Sequence, residues 1–189
     1  KPLDAFKKVI APNGERVLLH ASNFRKLKRV QDVVKIFAET KKEIPSKLLF
    51  VGDGPERSTA EDLAREMGVC DDIRFVGKQE QMEEILPIAD LFLLTSEYES
   101  FGLAALEAMA AGVPVVSTNA GGLSEINVPG ETGYMSEVGD IASMSQQAIS
   151  ILKDDATLKI FKEKAAIHAR QFDINRIVPQ YEKLYEKFL

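Results

Sequence analysis

Residues 90–117 read DLFLLTSEYESFGLAALEAMAAGVPVVS, and their rhythm decides the fold. An apolar run, Asp90–Leu94, leads through a polar, glycine-bearing loop into the apolar stretch Leu103–Ala111 and a second run, Val113–Ser117. Short apolar runs bounded by turn residues read as buried strands, and the longer stretch between them as a helix. Strand, helix, strand is a crossover unit, so the two strands are parallel.

The alternation continues outward. Arg16–Ala21 (RVLLHA), Lys47–Val51 (KLLFV) and Ile73–Val76 read as three earlier strands, and Gly133-Tyr134-Met135 as a short sixth. Val30–Thr40 carries Val30, Val33, Val34 and Phe37 at helical spacing. Thr59–Met67 is a helix with Gly68 at its C′ position, Gln81–Leu86 is a short helix, and the pattern is helical after Asp140. Continuous apolar strands belong to a parallel sheet covered on both faces. Right-handed crossovers then make it an α/β, doubly wound, Rossmann-like sheet. No repeat, low-complexity tract or linker divides residues 1–189, so one domain is expected, ending in an amphipathic helix over 174–189. Ligands of such sheets bind at the carboxyl ends of the strands, which singles out the loops after strands one, three, four and five.

Composition bounds the function. The 189 residues carry 24 Lys+Arg against 29 Asp+Glu, a net charge of −5, which disfavours non-specific nucleic-acid binding. One cysteine excludes an internal disulfide framework and a multi-Cys metal site. No apolar run approaches the roughly 20 residues of a membrane span. The start, Lys1-Pro2-Leu3-Asp4, has neither a signal-peptide core nor an initiator Met. A cytoplasmic location is expected, with the chain either processed or part of a longer one.

The loop after strand four runs straight into a helix N-terminus, where unpaired amides and the helix dipole favour a phosphate. Gly102 lets a ligand approach the backbone. The helix LAALEAMAA is apolar on every face except at Glu107, which predicts a buried helix and a buried carboxylate. A buried carboxylate needs donors. A neighbouring Lys or backbone group could supply them, but the apolar surroundings and the glycine loop favour sugar hydroxyls. Glu99, eight residues earlier, is a solvated loop residue by itself, and its offset from Glu107 is what draws attention to it. After strand one, Arg25, Lys26, Lys28 and Arg29 precede a helix, read either as a solvated basic turn or as a diphosphate clamp.

Glu99-Ser100-Phe101-Gly102…Glu107 resembles the E-x7-E motif of retaining glycosyltransferases of family four, which have the GT-B fold. Residues 108–116 (AMAAGVPVV), 121–126 (GGLSEI) and 130–134 (GETGY) are similar to the continuation of that family. The resemblance covers the donor-binding half of such an enzyme. It implies that Glu107 accepts from the ribose, Glu99 lies by the donor hexose, and the backbone of Phe101, Gly102 and Leu103 holds pyrophosphate or sugar hydroxyls. It also implies that Lys28 lies on the diphosphate as a catalytic cation and that the backbone at Gly77, after Phe75-Val76, reads the base. Asn23 stands where the family commonly has an Arg, and Arg25 is the candidate substitute. Gly52-Asp53-Gly54-Pro55 resembles the family's turn after strand two, or is simply a tight turn. Residues 22–25 (SNFR), 28–34 (KRVQDVV), 52–56 (GDGPE), 77–79 (GKQ) and 138–140 (VGD) are similar to bacillithiol-pathway enzymes, which implies UDP-GlcNAc as donor and L-malate as acceptor.

The resemblance further implies no cofactor and no metal requirement, and an absent N-terminal domain that binds the acceptor. This chain alone is then expected to bind donor weakly and to transfer little. Exposed apolar surface at the junction would favour a homo-oligomer. A GT-B sugar-nucleotide epimerase and a non-catalytic nucleotide-binding module are the alternatives. Other residues carry less. His20 is either structural or, at a strand end, near the ligand. His168 reads as surface, and Cys70 as a partly buried thiol made unreactive by the aspartates after it.

Overall fold

The computed structural model describes residues 2–187, with the side chains of residues 2–4 left aside. Helices are α1 (Pro2–Ile10), α2 (Val30–Glu43), α3 (Arg57–Glu66), α4 (Met82–Ile85), α5 (Leu103–Ala110), α6 (Leu123–Ile126), α7 (Ile141–Leu152), α8 (Asp155–Ala169) and α9 (Ile174–Tyr185). Strands are β1 (Arg16–Ser22), β2 (Ser46–Gly52), β3 (Ile73–Phe75), β4 (Leu91–Leu94), β5 (Val115–Thr118) and β6 (Gly133–Ser136). The strands form one parallel sheet in the order β3-β2-β1-β4-β5-β6. This is the doubly wound, Rossmann-like arrangement that the alternation predicts.

Alternate strand residues feed two cores, as the pleat requires. Leu18, Leu48, Leu91 and Leu93 pack with Val33, Phe37, Met144 and Ile151 of α2 and α7. Leu19, Leu49, Phe92 and Leu94 pack with Ala105, Ala108 and Met109 of α5 and Ala165 of α8. Each fully buried Leu or Phe contributes about 1.5–3 kcal/mol, so both faces hold the sheet. The cores also put α2 and α5 on opposite faces, which makes the β1/β4 junction the topological switch point. There the strands part: β1 pairs with β4 only at Leu18↔Leu91 and Leu19↔Phe92, but with β2 as far as Ser22↔Gly52.

Helix α1 was not anticipated. Lys7 ties it to the rest by donating from Nζ to both oxygens of Asp90 at 2.8 Å. Asp90 is buried and also accepts from the Val17 amide (3.0 Å) and Lys162 Nζ (2.8 Å), joining α1, β1 and α8. The four-residue α6 was missed too, being shorter than a helical period can reveal. Two smaller expectations are corrected. Cys70 is exposed, because it lies in a surface turn before β3. His168 is half-buried, with its ring against Phe172 and its buried Nε2 without a partner among the described residues. None of the described helices is long and apolar enough to cross a membrane.

Candidate functional site at the strand switch point

The loops after β1 and β4 meet over the parting strands. Thr95 Oγ1 donates to the carbonyls of Lys28 (2.8 Å) and Arg29 (3.1 Å), and the Glu97 amide donates to Leu27 O at 2.8 Å. These bonds hold the cation-bearing turn against the end of β4. Lys28 Nζ then lies 2.5 Å from Glu99 Oε1, and Ser96 Oγ donates to the same oxygen at 2.7 Å. Among the described residues, Oε2 of Glu99 has no donor. A carboxylate fixed at one oxygen and open at the other can still accept from a ligand hydroxyl.

The four-cation clamp is smaller than its composition promises. Arg29 is committed elsewhere: Nε donates to Asp32 at 2.6 Å, and its second ion pair is to Glu97 at 3.0 Å. Lys28 faces the site through Glu99. Arg25 and Lys26 are exposed and form no ion pair among the described residues, so Arg25 is free to meet an anion. Asn23 is exposed on the same turn.

Helix α5 begins at the end of the β4 loop with Gly102 in the left-handed region (φ 91°) and no side-chain cap. A Cβ on Gly102 would sit 2.6 Å from Leu123, which accounts for the glycine. Within α5 the first amides to find acceptors are those of Ala105 and Leu106, both on Gly102 O. The amides of Gly102 and Leu103 have no acceptor among the described residues, which leaves the start of α5 open to an anion. Phe101 is half-buried, its ring edge-on to Phe172 with centroids 6.0 Å apart.

Glu107 overturns an expectation. It is exposed, as are Leu103 (65 %) and Ala110 on the same face. The run LAALEAMAA buries only Ala105, Ala108 and Met109. Alanine is apolar yet small enough to stand in water at little cost, so an alanine-rich helix need not be buried all round. Glu107 thus presents an accessible carboxylate one turn beyond Leu103. Gly77, with φ +71°, closes β3 at the sheet edge, and its carbonyl accepts from Gly52 N–H at 2.7 Å. It lies at the same carboxyl end of the parallel strands as the site, two strands removed from β1.

The G-x-G-P turn proves more than a turn. A Cβ at Gly52 would come 1.8 Å from Ser22 O, and one at Gly54 would come 2.1 Å from Asn23 O. Both glycines make room for the β1 loop. Gly121 and Gly122 do the same for the β4 loop. A Cβ would fall 2.0 Å from Glu99 O or 2.4 Å from Ser100 O, and Gly122 N–H donates to Glu99 O at 2.9 Å. Sequence reasoning did not single out Thr95, Ser96 or this interlock. Two hydroxyl residues directly after the apolar run LFLL are the signal the sequence offers.

Among the described residues no group of three His, Cys, Asp or Glu side chains could hold a metal ion.

The site thus combines an open helix N-terminus, a lysine and a carboxylate at the switch point of a parallel Rossmann-like sheet. The chain belongs to the family of group 1 glycosyl transferases, which it matches over residues 3–168. It is 48 % identical over 173 residues to N-acetyl-alpha-D-glucosaminyl L-malate synthase of Bacillus anthracis, covering 91 % of this chain and 45 % of that protein. It is 31 % identical over 150 residues to 2-deoxystreptamine N-acetyl-D-glucosaminyltransferase of Niallia circulans, covering 76 % and 38 %. Sucrose-phosphate synthase of Thermosynechococcus elongatus superposes with a TM-score of 0.86 at 28 % identity, over 98 % of this chain and 48 % of that one. The chain spans less than half the length of these proteins.

Proposed function

We propose that this chain is the donor-binding half of a retaining glycosyltransferase that moves GlcNAc from UDP-GlcNAc to a hydroxyl of L-malate. The observation that carries the reading is the Lys28–Glu99 pair over the parting of β1 and β4, on the loop that leads into the uncapped N-terminus of α5. The likeness to the Bacillus anthracis synthase supports the sugar and the acceptor. In this reading the diphosphate lies on the amides of Gly102 and Leu103 and on Lys28, with Arg25 in reach in place of an Arg at Asn23. Glu99 orients the hexose, Glu107 accepts from the ribose, and the backbone at Gly77 meets the base.

The bond from the sugar C1 to the diphosphate oxygen breaks and the bond from C1 to the malate oxygen forms on the same face. The acceptor's proton passes to the departing phosphate. Fixed positive charge on the diphosphate is the protein's main contribution, and the reading needs no metal or other cofactor. The acceptor is held by the remainder of a longer, cytoplasmic protein, so this chain alone binds donor and transfers little.

The test is calorimetric titration with UDP, UDP-GlcNAc, GDP and ADP, on this chain and on Glu107→Ala. Preferential UDP binding that Glu107→Ala weakens by about 2 kcal/mol supports the reading, as for a lost charged hydrogen bond. Equal binding of all three diphosphates, or indifference to Glu107, refutes it.

A further inference from the structure

We propose that His20 is a positioning residue for donor binding: its imidazole ties the end of β4 to the turn bearing Asn23 and Arg25, and so sets where the cations of that loop stand against the diphosphate. The inference rests on the donor-binding reading above and extends it to a residue buried beneath the loop.

His20 is wholly buried at the point where the β1–β4 ladder ends. Its Nδ1 lies 2.9 Å from Leu93 O, and its Nε2 lies 2.8 Å from Ser22 Oγ. A carbonyl oxygen only accepts, so Nδ1 carries the proton. The ring packs against Phe50 and Phe24, with centroids 5.5 and 6.1 Å away. No carboxylate touches it, and a buried cation without a partner is costly, so the ring is neutral. Nε2 is therefore an acceptor and the Ser22 hydroxyl donates to it. The oxygen of Ser22 in turn accepts from Phe24 N–H at 3.3 Å.

The three bonds donate in one direction, from Phe24 N–H in the turn through Ser22 and His20 to Leu93 O on β4. They begin at Phe24, a non-glycine residue with φ +40°, a conformation that surrounding contacts must maintain. The far end of the loop is held by Thr95 and Glu97, also from the β4 side. Both ends of the cation-bearing segment are thus referred to β4, whose own loop carries Glu99 and leads to α5. A histidine that merely filled space would need neither a defined tautomer nor Ser22.

The experiment titrates UDP and UMP into the unaltered chain, Ser22→Ala, His20→Asn and the double variant, with a thermal melt of each and nitrogen NMR of the imidazole. The expected result is an Nδ1–H tautomer, and UDP binding weakened roughly five- to tenfold by each single change, as for one lost hydrogen bond. The double variant is no worse than the singles, because both act through one link. UMP, which lacks the second phosphate, loses less. Should His20→Asn fail to fold, Ser22→Ala removes only a half-buried hydroxyl and carries the test alone. Normal UDP affinity in a folded Ser22→Ala, or an Nε2–H tautomer, overturns the inference while leaving the donor reading intact. No UDP binding by the unaltered chain overturns both.

Discussion

Replacing Lys28 by alanine and Glu99 by glutamine is expected to move UDP affinity in opposite directions. The two side chains meet at 2.5 Å and are only 17 % and 14 % exposed. Lys28→Ala removes the cation and leaves the Glu99 carboxylate facing the diphosphate without a counter-charge. A hydrogen bond to a charged group contributes about 1.5–3 kcal/mol, so UDP should bind roughly 10- to 150-fold more weakly. Glu99→Gln keeps the shape and an oxygen for Ser96, but removes a negative charge and releases Lys28. Two unit charges about 6 Å apart in an effective dielectric of about 50 repel by about 1 kcal/mol, so UDP should bind roughly sixfold more tightly. UDP-GlcNAc should gain less, because Glu99 is proposed to hold its sugar. Calorimetry at neutral pH and low salt measures both, with melts to confirm folding. If a folded Glu99→Gln weakens UDP as much as Lys28→Ala does, the argument that the carboxylate competes with the diphosphate is refuted.

Three further predictions concern the frame of the site. Burial pushes the Asp90 carboxyl up, but Lys162 and Lys7 more than offset this and hold its pKa below the ordinary value. Its contribution is therefore complete above the unfolded carboxylate pKa near 3.9 and is lost as pH falls through the lower folded value. Asp90→Asn should cost about 1.5–3 kcal/mol in urea unfolding at neutral pH, as for charged hydrogen bonds to partly exposed lysines, and the two proteins should converge in strong acid. Burial depresses the His20 pKa to about 4; the bond to Leu93 O and the charge of Glu99 oppose this, and the charge of Lys28 adds to it. From about pH 6.5 down to about 4 the unfolded chain binds more proton, so stability should fall by up to about 3 kcal/mol across that window. Unfolding curves of His20→Asn should lack that slope. Gly122→Ala would place a Cβ 2.8 Å from Phe101 Cα and push on the β4 loop. UDP affinity should drop roughly tenfold with the circular dichroism spectrum retained, and unchanged affinity would contradict the interlock of the two loops.

The sheet was legible because its strands are buried on both faces and so read as unbroken apolar runs. Arg16–Ala21 and Asp90–Leu94 differ from β1 and β4 by a single residue at one end. Strand β5 begins at Val115 rather than Val113, since Pro114 cannot donate into the ladder. Helix α1 escaped notice because nothing in its first residues distinguishes a packed helix from a frayed terminus until Lys7 is seen on Asp90, 83 positions away. The motif residues were legible as types, but their environments were not. The sequence predicts a buried Glu107 because composition counts alanine as apolar, and the structure exposes it. Arg29 was counted as a free cation because Asp32 and Glu97 meet it only once the chain has folded. The purpose of Gly52, Gly54, Gly121 and Gly122 lies in backbone contacts between loops far apart in sequence.

The most direct test of the central claim is titration of UDP into the isotopically labelled chain, followed by backbone amide NMR. The account predicts saturable shifts concentrated at Asn23–Lys28, Glu99–Ala104 and Gly77, with β6 and the α2–α7 face unmoved. Absence of shifts at the amides of Gly102 and Leu103, or shifts centred away from the β1/β4 junction, would contradict it.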